Sequence, residues 1–202
     1  MFVSFEGPEG AGKSSVIRCL AQLAEESSLR PLCTREPGDG PLGARIRDML
    51  LHGENLSPKC ELFLFLADRA QHVESIVRPA LVAKQLVLCD RYSDSTLVYQ
   101  GYGRGLDKDL LREWNDFATG GLVPDLTLLL DIDPELGLAR IVGKDRLDSE
   151  PLDFHQAVRQ GFLAEAEQDP SRWSVVDASR DLETVVDDCW AAILRSLEAR
   201  HK

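Results

Sequence analysis

Gly7-Pro-Glu-Gly-Ala-Gly-Lys13-Ser14 fits the pattern G-x-x-x-x-G-K-[S/T] at every fixed position. Phe2-Val-Ser-Phe5 before it is a short apolar run of strand character, and Ser14 to Glu26 after it carries helical periodicity. An anion-binding loop needs that order, because backbone N–H groups and a helix N-terminus then point at one phosphate. Gly7, Pro8, Glu9, Gly10, Ala11 and Gly12 are read as wrapping the phosphates, with Ser15 in the opening turn of the helix. Lys13 is placed to reach the β/γ oxygens, and the Ser14 hydroxyl to hold Mg²⁺. The stretch therefore predicts a nucleoside triphosphate site between a strand and a helix.

A chain of 202 residues is long enough for one substantial core. Hydrophobic residues at 44% and charged residues at 28% describe an ordinary globular composition. No apolar run approaches the ~20 residues that span a bilayer, and residues 2–5 read as a core strand rather than a signal peptide. The cysteines at 19, 33, 60, 89 and 189 are scattered, with no C-x-x-C pair, which points to a reducing, cytoplasmic setting. The histidines at 52, 72, 155 and 201 lack metal-ligand spacing. A net charge of −11 argues against nucleic acid as a partner. A small phosphorylated substrate fits if basic residues converge locally. Arg35, Arg47, Arg69, Arg91 and Arg146 sit in motif-like stretches and hint at a second anion site.

Beyond residues 2–5, strand-like runs occupy 31–34, 86–89, 126–131 and 173–176. Continuous apolar runs of this length suit parallel strands covered on both faces. Helix-like segments lie near 41–52, 58–83, 107–118, 134–142, 152–168 and 181–199. The alternation predicts an α/β fold, a doubly wound parallel sheet of about five strands with flanking helices, as one domain over residues 1–202. Ligands of such sheets bind at the carboxyl ends of the strands. The loop after the first strand, Thr34-Arg-Glu-Pro37, Asp90-Arg91 and the Asp131 region then share one edge.

No Asn-Lys-x-Asp guanine motif is present, which excludes a regulatory GTPase, and no coupling module of a mechanical ATPase is evident. A small phosphotransferase remains. Its chemistry rests on positioning and positive charge, which arginines beside a phosphate loop supply.

Longer matches extend this reading. Phe5-Glu-Gly-Pro-Glu-Gly-Ala-Gly-Lys-Ser14, Thr34-Arg-Glu-Pro-Gly38, Asp90-Arg-Tyr92 and Ser95-Thr-Leu-Val-Tyr-Gln-Gly101 occur in that order. Glu61-Leu-Phe-Leu-Phe-Leu-Ala-Asp-Arg69, Pro124-Asp-Leu-Thr127, Leu130-Asp-Ile-Asp-Pro-Glu-Leu-Gly137, Asp145-Arg-Leu-Asp148 and Asp177-Ala-Ser179 accompany them. Together they resemble the bacterial thymidylate kinases, from residue 2 to about residue 180. The phosphate loop is common to many families; its combination with Thr-Arg-Glu-Pro-Gly, Asp-Arg-Tyr and Tyr-Gln-Gly is far more specific.

The resemblance implies a P-loop nucleoside monophosphate kinase that converts ATP and dTMP to ADP and dTDP with Mg²⁺, and a homodimer with the helix near 58–83 as a contact. It also implies roles for individual residues. Arg47, with Asp90 and Arg91, holds the acceptor phosphate, and Asp90 joins Ser14 on the metal side. Phe65 stacks on thymine, and Arg69 and Thr96 contact the base edge. Glu9, Tyr99 and Gln100 surround the deoxyribose, where crowding disfavours a 2′-hydroxyl, and Glu36 and Pro37 shape the same pocket. Taken alone, Phe65 also reads as part of an apolar helical stripe, Arg47 and Arg69 as solvated surface charges, Thr96 as a helix cap and Tyr99 as packing.

One segment departs from the family pattern. Leu138-Ala-Arg140-Ile-Val-Gly-Lys144-Asp-Arg146 makes a short lid near 140–150, and the phosphate loop carries no arginine. Arg146, Arg140 and Lys144 are the candidates to neutralise the transferring phosphoryl, in that order of expectation. The same architecture also serves kinases of dUMP, UMP or deoxynucleosides, and relatives that bind nucleotide without transfer.

Overall fold

The computed structural model describes residues 1–53 and 56–200; His201 lies outside the described residues. Strands β1 (Phe2–Glu6), β2 (Pro31–Arg35), β3 (Leu86–Asp90), β4 (Leu126–Asp131) and β5 (Trp173–Asp177) form one sheet in the order β2-β3-β1-β4-β5. Every pairing is parallel. Four strands run one residue past their apolar stretch, to Glu6, Arg35, Asp90 and Asp177. Hydropathy marks where a strand is buried, whereas the backbone ladder continues to the charged residue at its carboxyl end. Arg35 stands beside Asp90 in register, and Asp131 beside Asp177, so the charged residues collect along one edge.

Strand order reverses direction at β1, with β3 and β2 on one side and β4 and β5 on the other, which opens a crevice beyond the carboxyl end of β1. Helices α1 (Lys13–Glu26) and α9 (Leu182–Arg200) cover one face. There Val16, Leu20, Val186 and Ile193 close over Val3, Phe5, Leu88 and Leu128. Full burial of each such side chain contributes about 1.5–3 kcal/mol. On the opposite face, Phe2, Val87 and Cys89 meet Val73, Val77 and Tyr92. Leu129 and Trp173 there meet Phe154, Val158 and Phe162, the last three on α8 (Leu152–Gln168).

Helix α2 (Gly40–His52) agrees with the sequence pattern to within one residue. The segment expected as one helix over 58–83 is α3 (Pro58–His72), a π-helical stretch at Val73–Val77 and α4 (Arg78–Val82). Pro79 has no N–H to return to the preceding turn, and the widened π turn absorbs that missing bond. A helical region absent from the sequence reading covers α5 (Ser93–Thr96) and a second π-helical stretch, Leu97–Gly103. Its turns are also wide, with Arg104 N–H donating to the Tyr99 carbonyl at 3.0 Å. That geometry buries Leu97 through Gly101 consecutively, so no 3.6-residue stripe exists for a periodicity test to find.

Helix α6 (Lys108–Thr119) begins at Asp107, whose carboxylate accepts from the N–H groups of Asp109 and Leu110. Helix α7 (Pro134–Ala139) ends three residues before the expected 142, and residues 140–150 form turns. Asp145 organises the second half of that segment, accepting from Leu147 N–H at 2.8 Å and Asp148 N–H at 2.9 Å.

Candidate active site

A cleft of about 380 Å³ opens at the carboxyl edge of the sheet, against β1 and β3. Glu9 through Ser15 line one end. Glu36, Pro37, Arg47, Phe65, Arg69, Thr96, Tyr99 and Gln100 line the rest, with Asp90 and Arg91 between the two groups. Gly7 and Pro8 form the back of the loop. The structure thus gathers most of the residues that the sequence picked out from six separate segments. Arg140, Lys144 and Arg146 are not among the lining residues.

The phosphate end is built by backbone. Gly12 takes a left-handed conformation, φ +86°, at the start of α1, which turns the chain directly into the helix. Ser15 and Val16 N–H groups already donate to the Gly12 carbonyl, so the helix N-terminus is ordered without a ligand. The loop also touches α7: a Cβ on Gly10 would lie 1.9 Å from the Gly137 carbonyl oxygen. Lys13 folds back on its own loop and donates to the carbonyls of Gly7 at 3.1 Å and Pro8 at 3.0 Å. Burial, helped by the nearby Arg91 charge, brings its pKa down to about 8. The Ser14 hydroxyl donates to Asp90 Oδ2 at 2.8 Å, which sets two hard oxygen donors side by side beneath the loop.

Arg91 joins the two ends. Its backbone is left-handed, φ +69°, a conformation that costs a non-glycine residue of order 1 kcal/mol. Its N–H donates to the Phe5 carbonyl at 2.9 Å, and its guanidinium reaches Gly7 O at 3.1 Å and Glu9 Oε2 at 2.8 Å. Tyr99 donates to the other Glu9 oxygen at 2.6 Å. Burial pushes the Glu9 carboxyl upward, but the Arg91 and Lys13 charges and the Tyr99 bond outweigh it and hold it at about 2. Glu9 is therefore a fixed anion, backed by Tyr99, that aims Arg91 across the cleft. Arg47 donates to the Pro37 carbonyl at 2.8 Å and has no carboxylate partner among the described residues. Burial and neighbouring Arg35 lower its pKa, an imbalance that a bound anion relieves.

The remaining wall is a side-chain network. Arg69, 2% exposed, donates to Glu36 Oε2 at 2.8 Å, Thr96 Oγ1 at 2.7 Å, Asn115 Oδ1 at 2.6 Å and the Tyr92 carbonyl at 2.9 Å. Behind it, His72 lies between Glu36 Oε1 at 2.7 Å and Thr34 Oγ1 at 2.6 Å. Solvated surface arginine is thus the wrong description of Arg69, and Thr96 accepts from Arg69 rather than capping a helix. Phe65, half-buried, packs in the cluster of Ile46, Leu50, Leu51 and Leu147 with part of its surface in the cleft.

Several residues in and behind the cleft were given no role in the sequence reading. Glu6 is fully buried and accepts from Tyr92 N–H at 2.8 Å and the Ser95 hydroxyl at 2.5 Å. Burial and neighbouring Asp94 raise its pKa to about 7. The signal was an acid closing an otherwise apolar strand. Asp68 and His72, polar residues on the buried side of an apolar helix, carried a similar signal. Burial and neighbouring Glu36 raise the Asp68 pKa to about 6. Asp145 and Leu147 also line the cleft, brought there by the lid segment.

The lid cations are distributed differently from expectation. Arg140 turns away from the cleft and donates to the carbonyls of Ala178 at 3.0 Å and Ser179 at 3.5 Å. Arg146 donates to Glu61 Oε2 at 2.5 Å and the Leu50 carbonyl at 2.9 Å. Lys144 is exposed, with neither a hydrogen bond nor an ion pair among the described residues.

A parallel sheet with a phosphate loop after its first strand, and arginines facing that loop across one cleft, defines a P-loop phosphotransferase that accepts a small anionic substrate. Comparison with known proteins narrows the class. A family model described as thymidylate kinase matches residues 5–189. A thymidylate kinase of Desulfovibrio desulfuricans is 52% identical over 99% of this chain and 98% of its own length. One of Thermomicrobium roseum is 53% identical over 95% and 93%. The crystal structure of thymidylate kinase from Ehrlichia chaffeensis superimposes with a TM-score of 0.82 at 32% identity, covering 96% of this chain and 98% of that one. The chain belongs to the thymidylate kinase family.

Proposed function

We propose that this chain transfers the γ-phosphoryl of ATP to dTMP, giving ADP and dTDP. The observation that carries the reading is a single cleft lined at once by the phosphate loop and by Arg47, Phe65, Arg69, Arg91 and Gln100. ATP places its β and γ phosphates on the loop N–H groups and Lys13. The dTMP phosphate lies between Arg47 and Arg91, whose planar forks suit a phosphate better than an ammonium does. Thymine lies on Phe65, with Arg69 and Thr96 along its edge. Gln100, which the resemblance put beside the deoxyribose, is moved in this reading to the base edge, because its amide meets Glu61 on the helix that carries Phe65 and Arg69. Tyr99, Glu9, Glu36 and Pro37 close in around the sugar. An oxygen of the dTMP phosphate then attacks the γ phosphorus as the bond to the β,γ-bridging oxygen breaks and ADP leaves. Both reactants are held in line, and Lys13 and Arg91 neutralise the charge that develops.

Mg²⁺ fits the Ser14–Asp90 pair. The Ser14 hydroxyl and the Asp90 carboxylate would hold the ion together with substrate phosphates. When bound, the ion neutralises charge on the β and γ oxygens. Of the lid cations, Lys144 alone makes no hydrogen bond or ion pair among the described residues, which leaves it able to reach the transferring phosphoryl; Arg140 and Arg146 serve only if closure breaks their present bonds. Residues 140–150 are thus a short lid on a single catalytic domain. We also assign a homodimer whose contact is the apolar patch of exposed Phe63 and Phe117 and half-buried Trp114 on α3 and α6. The cytoplasm is the compartment that suits five free cysteines, and nucleic acid is not a partner of so acidic a chain.

Coupled ADP release from ATP with a panel of dTMP, dUMP, UMP and thymidine tests the reading. Activity concentrated on dTMP supports it. A shifted preference moves the chain to a related kinase, and ATP binding without turnover removes the enzymatic reading.

A further inference from the structure

Glu61 lies in α3 and is 1% exposed, yet three segments converge on its carboxylate. Gln100 Nε2 donates to Oε1 at 2.9 Å. Arg104, at the end of the second π-helical stretch, donates to both oxygens at 3.3 Å and to Glu150 Oε1 at 2.7 Å. Arg146 of the lid donates to Oε2 at 2.5 Å. Two cations and two carboxylates balance here, and none of these side chains other than Gln100 lines the cleft. A buried carboxylate of this kind is costly unless its lone pairs are filled, and here they are.

Two features of the cleft depend on that arrangement. The bond to Gln100 fixes which end of its amide faces the ligand, because Nε2 is committed to Glu61 and Oε1 is left over. The bond to Arg146 pins the lid segment against α2 and α3, since Arg146 also holds the Leu50 carbonyl and its N–H donates to Leu51 O. Leu147, the next residue, is thereby pressed into the cluster that backs Phe65. The base-edge group and the support of the base-stacking ring share one anchor.

We infer that Glu61 is a positioning residue for acceptor-base recognition, acting through Gln100 on the base edge and through Arg146 and Leu147 on the Phe65 face. The inference rests on the reading that Phe65 and Gln100 meet the base. On it, the Arg146–Glu61 contact couples the docked lid to the base pocket rather than supplying charge to the phosphoryl group.

Steady-state kinetics with both substrates varied, on Glu61→Ala, Glu61→Gln, Gln100→Ala, Arg146→Ala and the pairs Glu61→Ala/Gln100→Ala and Glu61→Ala/Arg146→Ala, test this. Glu61→Ala is expected to raise KM for dTMP by about ten- to a hundredfold, the scale of losing charged hydrogen bonds. KM for ATP should move less than about threefold, within the ordinary scatter of remote sites. Each pair should lose less than the product of its two singles, because its members share one of the contacts of Glu61. Glu61→Gln keeps an acceptor for Gln100 and should recover part of the loss. It also decides the matter if Glu61→Ala fails to fold, since an unchanged dTMP KM in folded Glu61→Gln overturns the inference. Additive pairs, or a loss in kcat with dTMP KM unchanged, overturn it as well. If Phe65→Ala and Gln100→Ala alone leave dTMP KM unchanged, the underlying site reading has failed; if they raise it and the Glu61 variants do not, only the inference has.

Discussion

The two ends of the cleft are built from different materials. On the proposed reading the donor end is backbone: Gly7 to Ser14 are contiguous, the conformation at Gly12 turns the chain into α1, and Lys13, the loop's one cationic side chain, rests on the Gly7 and Pro8 carbonyls. The acceptor end is assembled from side chains on β2, α2, α3, β3 and the π-helical stretch, locked together by Arg69, Glu36, His72 and Glu61. A backbone site tolerates change wherever glycine geometry is kept and fails at once when its lysine is lost. A side-chain network weakens piece by piece, because each member has several partners.

Lys13→Ala should give the largest effect, a loss of transfer of at least about a hundredfold, in a protein that still unfolds cooperatively. Circular dichroism melting together with ADP release checks both halves. Near-normal turnover would show the donor end to be as distributed as the acceptor end.

Arg91→Lys should lower dTMP binding and transfer by one to two orders of magnitude, about 1–3 kcal/mol on the scale of charged hydrogen bonds, with ATP affinity nearly unchanged. Calorimetric titration with each nucleotide separates the two. Collapse of ATP affinity alone would move Arg91 to the donor end, through its bond to the Gly7 carbonyl.

The Lys13 pKa of about 8 in the free protein gives a pH test of the donor end. Bound phosphate favours the charged ammonium, so its pKa rises in the complex and nucleotide binding takes up a proton above pH 8. ATP affinity should hold below pH 8 and fall as pH rises through it, by about tenfold at pH 9, where roughly one lysine in eleven of the free protein is charged. Calorimetry in buffers of different ionisation heat reads the proton directly. A flat profile between pH 7 and 9 would mean that Lys13 is fully charged in the free loop.

Lys144→Ala probes the segment that belongs to neither end. If the lid cation acts after closure, kcat should drop by more than about threefold, or 0.7 kcal/mol, while KM for either substrate changes less. A smaller drop leaves the phosphoryl group to backbone amides, Mg²⁺, Lys13 and Arg91.

The same division decides what was legible beforehand. The donor end can be read from eight consecutive residues, because glycine spacing encodes backbone geometry directly, and the five strands follow from apolar runs. Arg69 and Gln100 have no local signature, since the partners that hold them (Thr96, Asn115 and Glu61) stand 27 to 46 positions away in the chain. A resemblance of motifs supplied them, and periodicity did not. The π-helical stretch was invisible for a related reason: a wide turn that buries five consecutive residues has neither a strand nor an α-helical period. The lid cations cannot be ranked from the sequence, which lists them without showing that Glu61 and the Ala178 and Ser179 carbonyls hold two of them.

Gly10 and Gly137 meet with nothing between them. A Cβ on Gly10 would lie 1.9 Å from the Gly137 carbonyl oxygen, and one on Gly137 would lie 2.2 Å from the Glu9 carbonyl oxygen. Most packing contacts can be repaired when they are damaged, by shrinking the partner of an enlarged side chain. This one offers no such repair, since neither residue has a side chain to give up. The phosphate loop and the helix that leads into the lid are therefore tied to each other's history: a change at either glycine has no second-site suppressor at the other, and the spacing between the nucleotide cradle and the base of its lid is fixed by main chain alone.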